Sequence, residues 1–141
     1  MVTLILIISL FSLSLTAPPK PHFLIAVPET IKPYEGVWNA TCDVESRFNP
    51  LAIGDKHLRN KSYGIAQIRQ SRLDDYYLQT GIRYTTEDMF CPIKSKEVFM
   101  HYARGSDLEV IARCWNGGPN GMNKKSTIQY WKLIQTKLLK Y

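Results

Sequence analysis

The stretch Tyr34-Glu35-Gly36-Val37-Trp38-Asn39-Ala40-Thr41-Cys42-Asp43-Val44-Glu45-Ser46-Arg47-Phe48-Asn49-Pro50 decides how this chain is read. Val37, Thr41, Val44 and Phe48 recur at helical spacing, with Ala40 and Cys42 nearby, so one face of a helix is apolar. Asn49-Pro50 ends it, because the residue before a proline is pushed out of the α region. Glu45 then stands near the C-terminal end of that helix, beside a loop. Burial at such a place raises a carboxyl pKa toward neutrality, where the group still holds a proton to give. By position alone a solvent-facing helical glutamate is the commoner case, so the neighbourhood has to decide.

Downstream, residues 51–62 mix Gly54, Asp55, Lys56, Arg59, Asn60 and Lys61 with few apolar residues, which is loop composition. The short apolar element Tyr63-Gly64-Ile65-Ala66-Gln67-Ile68 follows. Residues 71–79 read as a helix stopped by Gly81, and Thr86 with Glu87-Asp88 suits a helix start. Pro92 opens a further helix that Gly105 ends, and Ser106 or Asp107 caps the next, which stops at Asn116-Gly117-Gly118-Pro119. The last helix is expected over residues 126–139, with Ile128, Trp131, Leu133 or Ile134, and Leu138 inward and Lys132, Lys137 and Lys140 outward. No strong strand, internal repeat or low-complexity segment stands out, so the expected class is mostly α.

Upstream, residues 2–15 form an uncharged apolar run, too short to cross a hydrocarbon core of about 30 Å comfortably. It reads as a secretory signal peptide over 1–17, which places the protein in the periplasm or cell envelope. The absence of Lys or Arg before the run and of an ideal cleavage site leaves an uncleaved short anchor as the alternative. Pro18, Pro19, Pro21, Pro28 and Pro33 mark 18–33 as a proline-rich tether, and the domain is expected over 34–141.

With 141 residues, 45% hydrophobic and 21% charged, the chain has the size of one domain and the composition of a folded one. Its net charge of +6 favours anionic partners such as nucleic acid, acidic lipid or an acidic wall polymer. Three cysteines, Cys42, Cys91 and Cys114, form no Cys-x-x-Cys pair and are odd in number, which argues against a zinc site or a complete disulfide framework. Burial as small hydrophobes is expected for them, with one pairing as the alternative.

Four blocks stand in order along the chain: Glu45-Ser46-Arg47-Phe48-Asn49-Pro50, then Ser62-Tyr63-Gly64-Ile65-Ala66-Gln67-Ile68, then Ala112-Arg113-Cys114-Trp115-Asn116-Gly117-Gly118, then Tyr130. Each alone is weak. In this order and with these gaps they resemble the soluble lytic transglycosylase (SLT) domain family, lysozyme-like enzymes related to goose-type lysozyme that cleave bacterial peptidoglycan, over about residues 34–135.

The resemblance implies a single small lysozyme-like domain with Glu45 as the only catalytic carboxylate. Ser46 would support the end of the catalytic helix and the nearby sugar, Gly64 would permit close backbone approach, and Gln67 would hydrogen-bond substrate. Asn116 would contact the sugar near the cleaved bond, and the Tyr130 hydroxyl would orient Glu45. Their ordinary counterparts are a turn glycine, an exposed amide, a helix C-cap and a core aromatic. The family usually carries Tyr where Trp115 stands; the indole keeps a flat stacking face and loses the phenolic hydroxyl. The implied reaction protonates the oxygen between MurNAc and GlcNAc from Glu45 and closes the MurNAc C6 hydroxyl on C1, with no metal or organic cofactor. Arg47, Arg69 and Arg113 could meet stem carboxylates, though each is more often a solvated charge.

The expected partner is the peptidoglycan glycan strand, met by a monomer, whether in wall turnover, a secretion or conjugation channel, or phage entry. A hydrolase similar to goose-type lysozyme is the alternative, with Asp55 as the second acidic residue. A non-catalytic wall-binding module of a secretion or conjugation apparatus is the rival from another class, and the presence of Glu45 argues against it. Nucleic acid is not an expected partner, since only Lys124-Lys125 and the lysine-rich last helix favour it and a secretory address opposes it.

Overall fold

The first helix begins two residues before Tyr34, where the domain is expected to start. The computed structural model describes residues 32–141, and α1 spans Lys32–Ser46. Lys32 and Pro33 thus belong to the helix rather than to the tether, and Pro33 falls in the first turn, where a missing N–H leaves no helical bond undone. The expected signal peptide and the rest of the tether lie outside the described residues.

Residues read as loop and short apolar element form a small antiparallel sheet of β1 (Ile53–Gly54), β2 (Ser62–Tyr63) and β3 (Ile68–Arg69), in that order. Ile53 faces Tyr63 and Gly54 faces Ser62; Ser62 in turn faces Arg69, and Tyr63 faces Ile68. No strong strand is expected, and these are not strong: two-residue strands are too short to show an alternating pattern. Next come α2 (Gln70–Thr80), a 3-10 turn at Glu87–Phe90, α3 (Pro92–Ala103), α4 (Leu108–Gly117), a second 3-10 turn at Gly121–Asn123, and α5 (Ser126–Leu138). Gly81 ends α2 in the left-handed conformation, its N–H bonding Tyr77 O, as the stop signal predicts.

α1 packs along α5 and also touches α3 and α4, so the helix that carries Glu45 runs through the middle of the helical layer. Val37, Trp38, Ala40, Thr41 and Cys42 form its buried face; Val44 is half-buried, and Phe48 falls beyond the helix end and is exposed. Trp38 packs on Phe99 at 5.2 Å between centroids, and Phe99 meets Trp115 edge-on at 4.9 Å. Phe99, Ile68, Leu73, Met89 and Ile134 are fully buried, each contributing roughly 1.5–3 kcal/mol. All three cysteines are free, Cys42 buried and the other two half-buried, and burial pushes the Cys42 thiol up to about 12.

The inward face of α5 is Thr127, Tyr130 and Ile134, with Trp131 and Leu138 partly buried, whereas Ile128 and Leu133 are exposed. Lys137 does not simply face water: it pairs with Asp43 of α1 at 3.0 Å.

Candidate active site

The last turn of α1 presents Glu45 and is pinned by its neighbour. The Ser46 hydroxyl donates to Ile65 O at 2.7 Å and lies 3.3 Å from Cys42 O, tying the helix end to the β2–β3 hairpin. Arg47 and Phe48 both take left-handed backbone, φ 55° and 62°, and their N–H groups still bond Asp43 O and Cys42 O. Such conformations cost a non-glycine residue energy and persist only where the surroundings impose them, which is frequent at functional sites. The sharp stop carries the chain into the sheet and sets the sheet beside Glu45.

The Tyr130 hydroxyl donates to Glu45 Oε1 at 2.7 Å, from α5 to α1. Burial raises the Glu45 carboxyl from an ordinary 4.5 to about 7; the Tyr130 bond pulls the other way, Asp55 adds to the rise, and Arg69 and Arg72 oppose it. Burial, followed by the charge of Glu45, holds the Tyr130 phenol well above its ordinary value, so it remains a donor. With Oε1 engaged by Tyr130, the acid proton is assigned to Oε2. The expected orienting role of Tyr130 thus has its hydrogen bond, and near neutrality a substantial fraction of Glu45 is protonated.

The sheet forms the facing wall. Gln67, itself left-handed at φ 53°, donates through Nε2 to Gly64 O at 2.8 Å and Ala52 O at 3.3 Å, and its Oε1 accepts from the Ser62 hydroxyl at 2.8 Å. Its amide therefore shapes the wall as well as facing the cleft. Asp55 Oδ2 accepts from Arg69 Nη2 at 2.6 Å and lies 3.3 Å from the Ser62 hydroxyl. The close approach at Gly64 is to protein: a Cβ there would lie 1.8 Å from Met89 O.

From α4 come Trp115, buried with its Nε1 donating to Ala66 O at 3.3 Å, and Asn116, exposed at the rim. The cap of α4 falls to Gly118 rather than Asn116, leaving the Asn116 amide unburdened by that role. Glu45, Asp55, Gln67, Arg72, Trp115 and Asn116 surround a cleft of about 180 Å³. Of the residues singled out from sequence, Ser46 and Gly64 stand behind its wall and Tyr130 beneath Glu45. Arg113 is neither a substrate contact nor a solvated charge: it is buried, bonding Thr127 Oγ1, Met122 O and Glu109. Arg47 is exposed past the helix end.

Arg72 was not legible as a site residue. Its signal was weak: an arginine beside the buried Leu73–Tyr76 stripe of α2, in a segment with several charges. Among the described residues no group of three or more His, Cys, Asp or Glu is placed to hold a metal ion.

The description "Transglycosylase SLT domain" matches residues 36–137, nearly everything the structure describes. This chain belongs to the SLT domain family. The SLT domain is also similar to an invertebrate-type lysozyme of Ruditapes philippinarum, 32% identical in an alignment 84 positions long that covers 52% of this chain and 59% of that protein. The solved lysozyme of Tapes japonica superposes with a TM-score of 0.56 at 25% identity, covering 72% of this chain and 87% of that one. The mostly helical, lysozyme-like single domain expected from the four blocks is therefore what the chain folds into.

Proposed function

We propose that this SLT domain is a peptidoglycan lytic transglycosylase that cleaves the MurNAc-GlcNAc β-1,4 bond. The observation that carries the reading is Glu45: one half-buried carboxyl whose pKa burial lifts to about 7, bonded by Tyr130, on the wall of the cleft. Glu45 Oε2 gives its proton to the glycosidic oxygen as the bond to C1 breaks, and GlcNAc leaves with a free hydroxyl. The resulting carboxylate takes the proton of the MurNAc C6 hydroxyl while that oxygen bonds C1. Glu45 is regenerated, no water is consumed, and the product ends in 1,6-anhydroMurNAc. Asn116 at the rim suits the sugar beside the broken bond, whereas the Trp115 indole, buried under Arg72 and against Phe99, braces the wall instead of offering the stacking face expected of it. The net charge of +6 suits a wall bearing stem carboxylates, and the apolar run over residues 2–15 supports action in the periplasm or envelope.

A second reading has an observation of its own. Asp55 lines the same cleft as Glu45, held there by Arg69, and the clam relative is named a lysozyme. A second carboxylate of this kind could direct water to C1 and make the enzyme a hydrolase. Mass spectrometry of muropeptides released from purified sacculi, before and after borohydride, separates the two. Fragments 2 Da heavier after borohydride belong to a hydrolase; anhydro ends that resist reduction belong to the transglycosylase, and are expected.

A further inference from the structure

Beyond the cleft, and sharing Ser71, Arg72 and Trp115 with it, lies a larger groove of about 520 Å³ between α2, α3 and α4. Arg72 is the post between the two. Its guanidinium sits 4.5 Å from the Trp115 ring centroid and 4.7 Å from that of Tyr102, and Nη2 donates to Trp115 O at 3.1 Å and Cys114 O at 3.3 Å. Its other nitrogens make no hydrogen bond, and the group pairs with no carboxylate, among the described residues. A guanidinium fixed by two rings and two carbonyls, with its charge unanswered, is preorganised for a planar anion. One helical turn further along α2, Asp75 faces the same groove, its Oδ2 accepting from Tyr102 Oη at 2.7 Å and Gln79 Nε2 at 2.8 Å. Ile111 and Pro119 give the groove apolar floor.

We propose that this groove binds the peptide stem of the same glycan strand, Arg72 taking a carboxylate near the sugar and Asp75 an amine one residue further out. The inference rests on the peptidoglycan reading and deepens it. The order of charges matches a stem in which a small apolar residue leads to a free carboxylate and then to a diamino acid. Arg72 and Asp75, three residues apart on one helix face, are spaced about 5 Å along it, within reach of successive residues of an extended peptide. Continuity with the catalytic cleft through Arg72 and Trp115 lets one strand occupy both.

The test compares specificity constants on peptide-bearing glycan strands and on the same strands stripped of stems by an amidase. Wild type is expected to prefer the peptide-bearing strands at least about tenfold, the worth of one charge-assisted hydrogen bond. Arg72→Gln should bring that ratio toward one. Because Arg72 also braces α4, Asp75→Asn serves as a second variant: its amide oxygen still accepts from Tyr102, its charge is gone, and the ratio should fall several-fold with the melting temperature held. Equal rates on the two substrates in wild type, or a preference that survives both substitutions, would overturn the stem groove while leaving the glycosidase reading intact. If wild type cleaves neither substrate, the glycosidase reading falls. Calorimetric titration with the free tripeptide L-Ala-γ-D-Glu-diaminopimelate then decides the groove: saturable binding weakened by Asp75→Asn upholds it, and no binding overturns it.

Discussion

At the scale of the residue, the account turns on Glu45 being an acid that is hard to ionise. Its carboxyl rises from 4.5 to about 7, chiefly through burial, so the fold favours the protonated form. That contribution is complete below about pH 4.5 and is lost as pH rises through about 7, where the buried carboxylate weighs on the native state. At 1.36 kcal/mol per pKa unit the rise corresponds to on the order of 3 kcal/mol. Glu45→Gln should therefore gain stability relative to wild type between about pH 4 and pH 8, measured by thermal melts across that range; a difference that does not vary with pH would contradict the burial. Tyr130→Phe removes the bond that lowers the Glu45 pKa. Its alkaline limb of activity should move to higher pH while turnover falls at least about tenfold, since the acid proton is no longer aimed. A pH–rate profile with the limb unmoved and the rate within about twofold of wild type would take Tyr130 out of the site.

At the scale of the element, the site depends on a hairpin too short to announce itself. Gly64 holds φ 74° with its Cα hydrogens against the Met89 carbonyl, and a methyl group would lie 1.8 Å from that oxygen, which is backbone and cannot swing away. Gly81 has nearly the same φ, 75°, with nothing within 4 Å of the added carbon. Gly64→Ala should cost about 3 kcal/mol in urea unfolding and Gly81→Ala only about 1, because strain is common to both and collision to one. Equal losses would show that the Met89 contact does not matter. The helices were legible because their spacing and stop signals act locally, as at Gly81 and Pro92. The strands were not, since each is held by two residues and by tertiary partners such as Ser46 on Ile65. On α5, Trp131, Ile134 and Leu138 lie inward as the spacing predicts, and Ile128 alone does not; its place on the inward face goes to residues that look polar. Thr127 and Tyr130 look polar, yet Thr127 Oγ1 donates within reach of Gly121 O and Lys124 O and accepts from Arg113, and Tyr130 bonds Glu45. Polar atoms so satisfied are buried at little cost, and a reading that counts only apolar residues passes over them. Arg113 escaped for the same reason.

At the scale of the whole molecule, four segments far apart in sequence meet around one carboxyl: the end of α1, the β2–β3 hairpin, the end of α4 and the middle of α5. The four ordered blocks make that convergence legible in the sequence through the resemblance they carry, whereas Arg72 belongs to no block and its place depends on how α2, α3 and α4 pack. The helical layer supplies Glu45 and Tyr130, the sheet supplies the opposite wall, and the net charge of +6 favours anionic partners. The central claim is that Glu45 in this setting breaks the glycan strand. The most direct measurement is release of soluble muropeptides from purified sacculi by wild type and by Glu45→Gln, with matching circular dichroism spectra. The account predicts steady release by wild type and a loss of about 100-fold or more in the variant, since an amide keeps the shape and has no acidic proton. Release by the variant at more than about a tenth of the wild-type rate, or none by wild type, would contradict it.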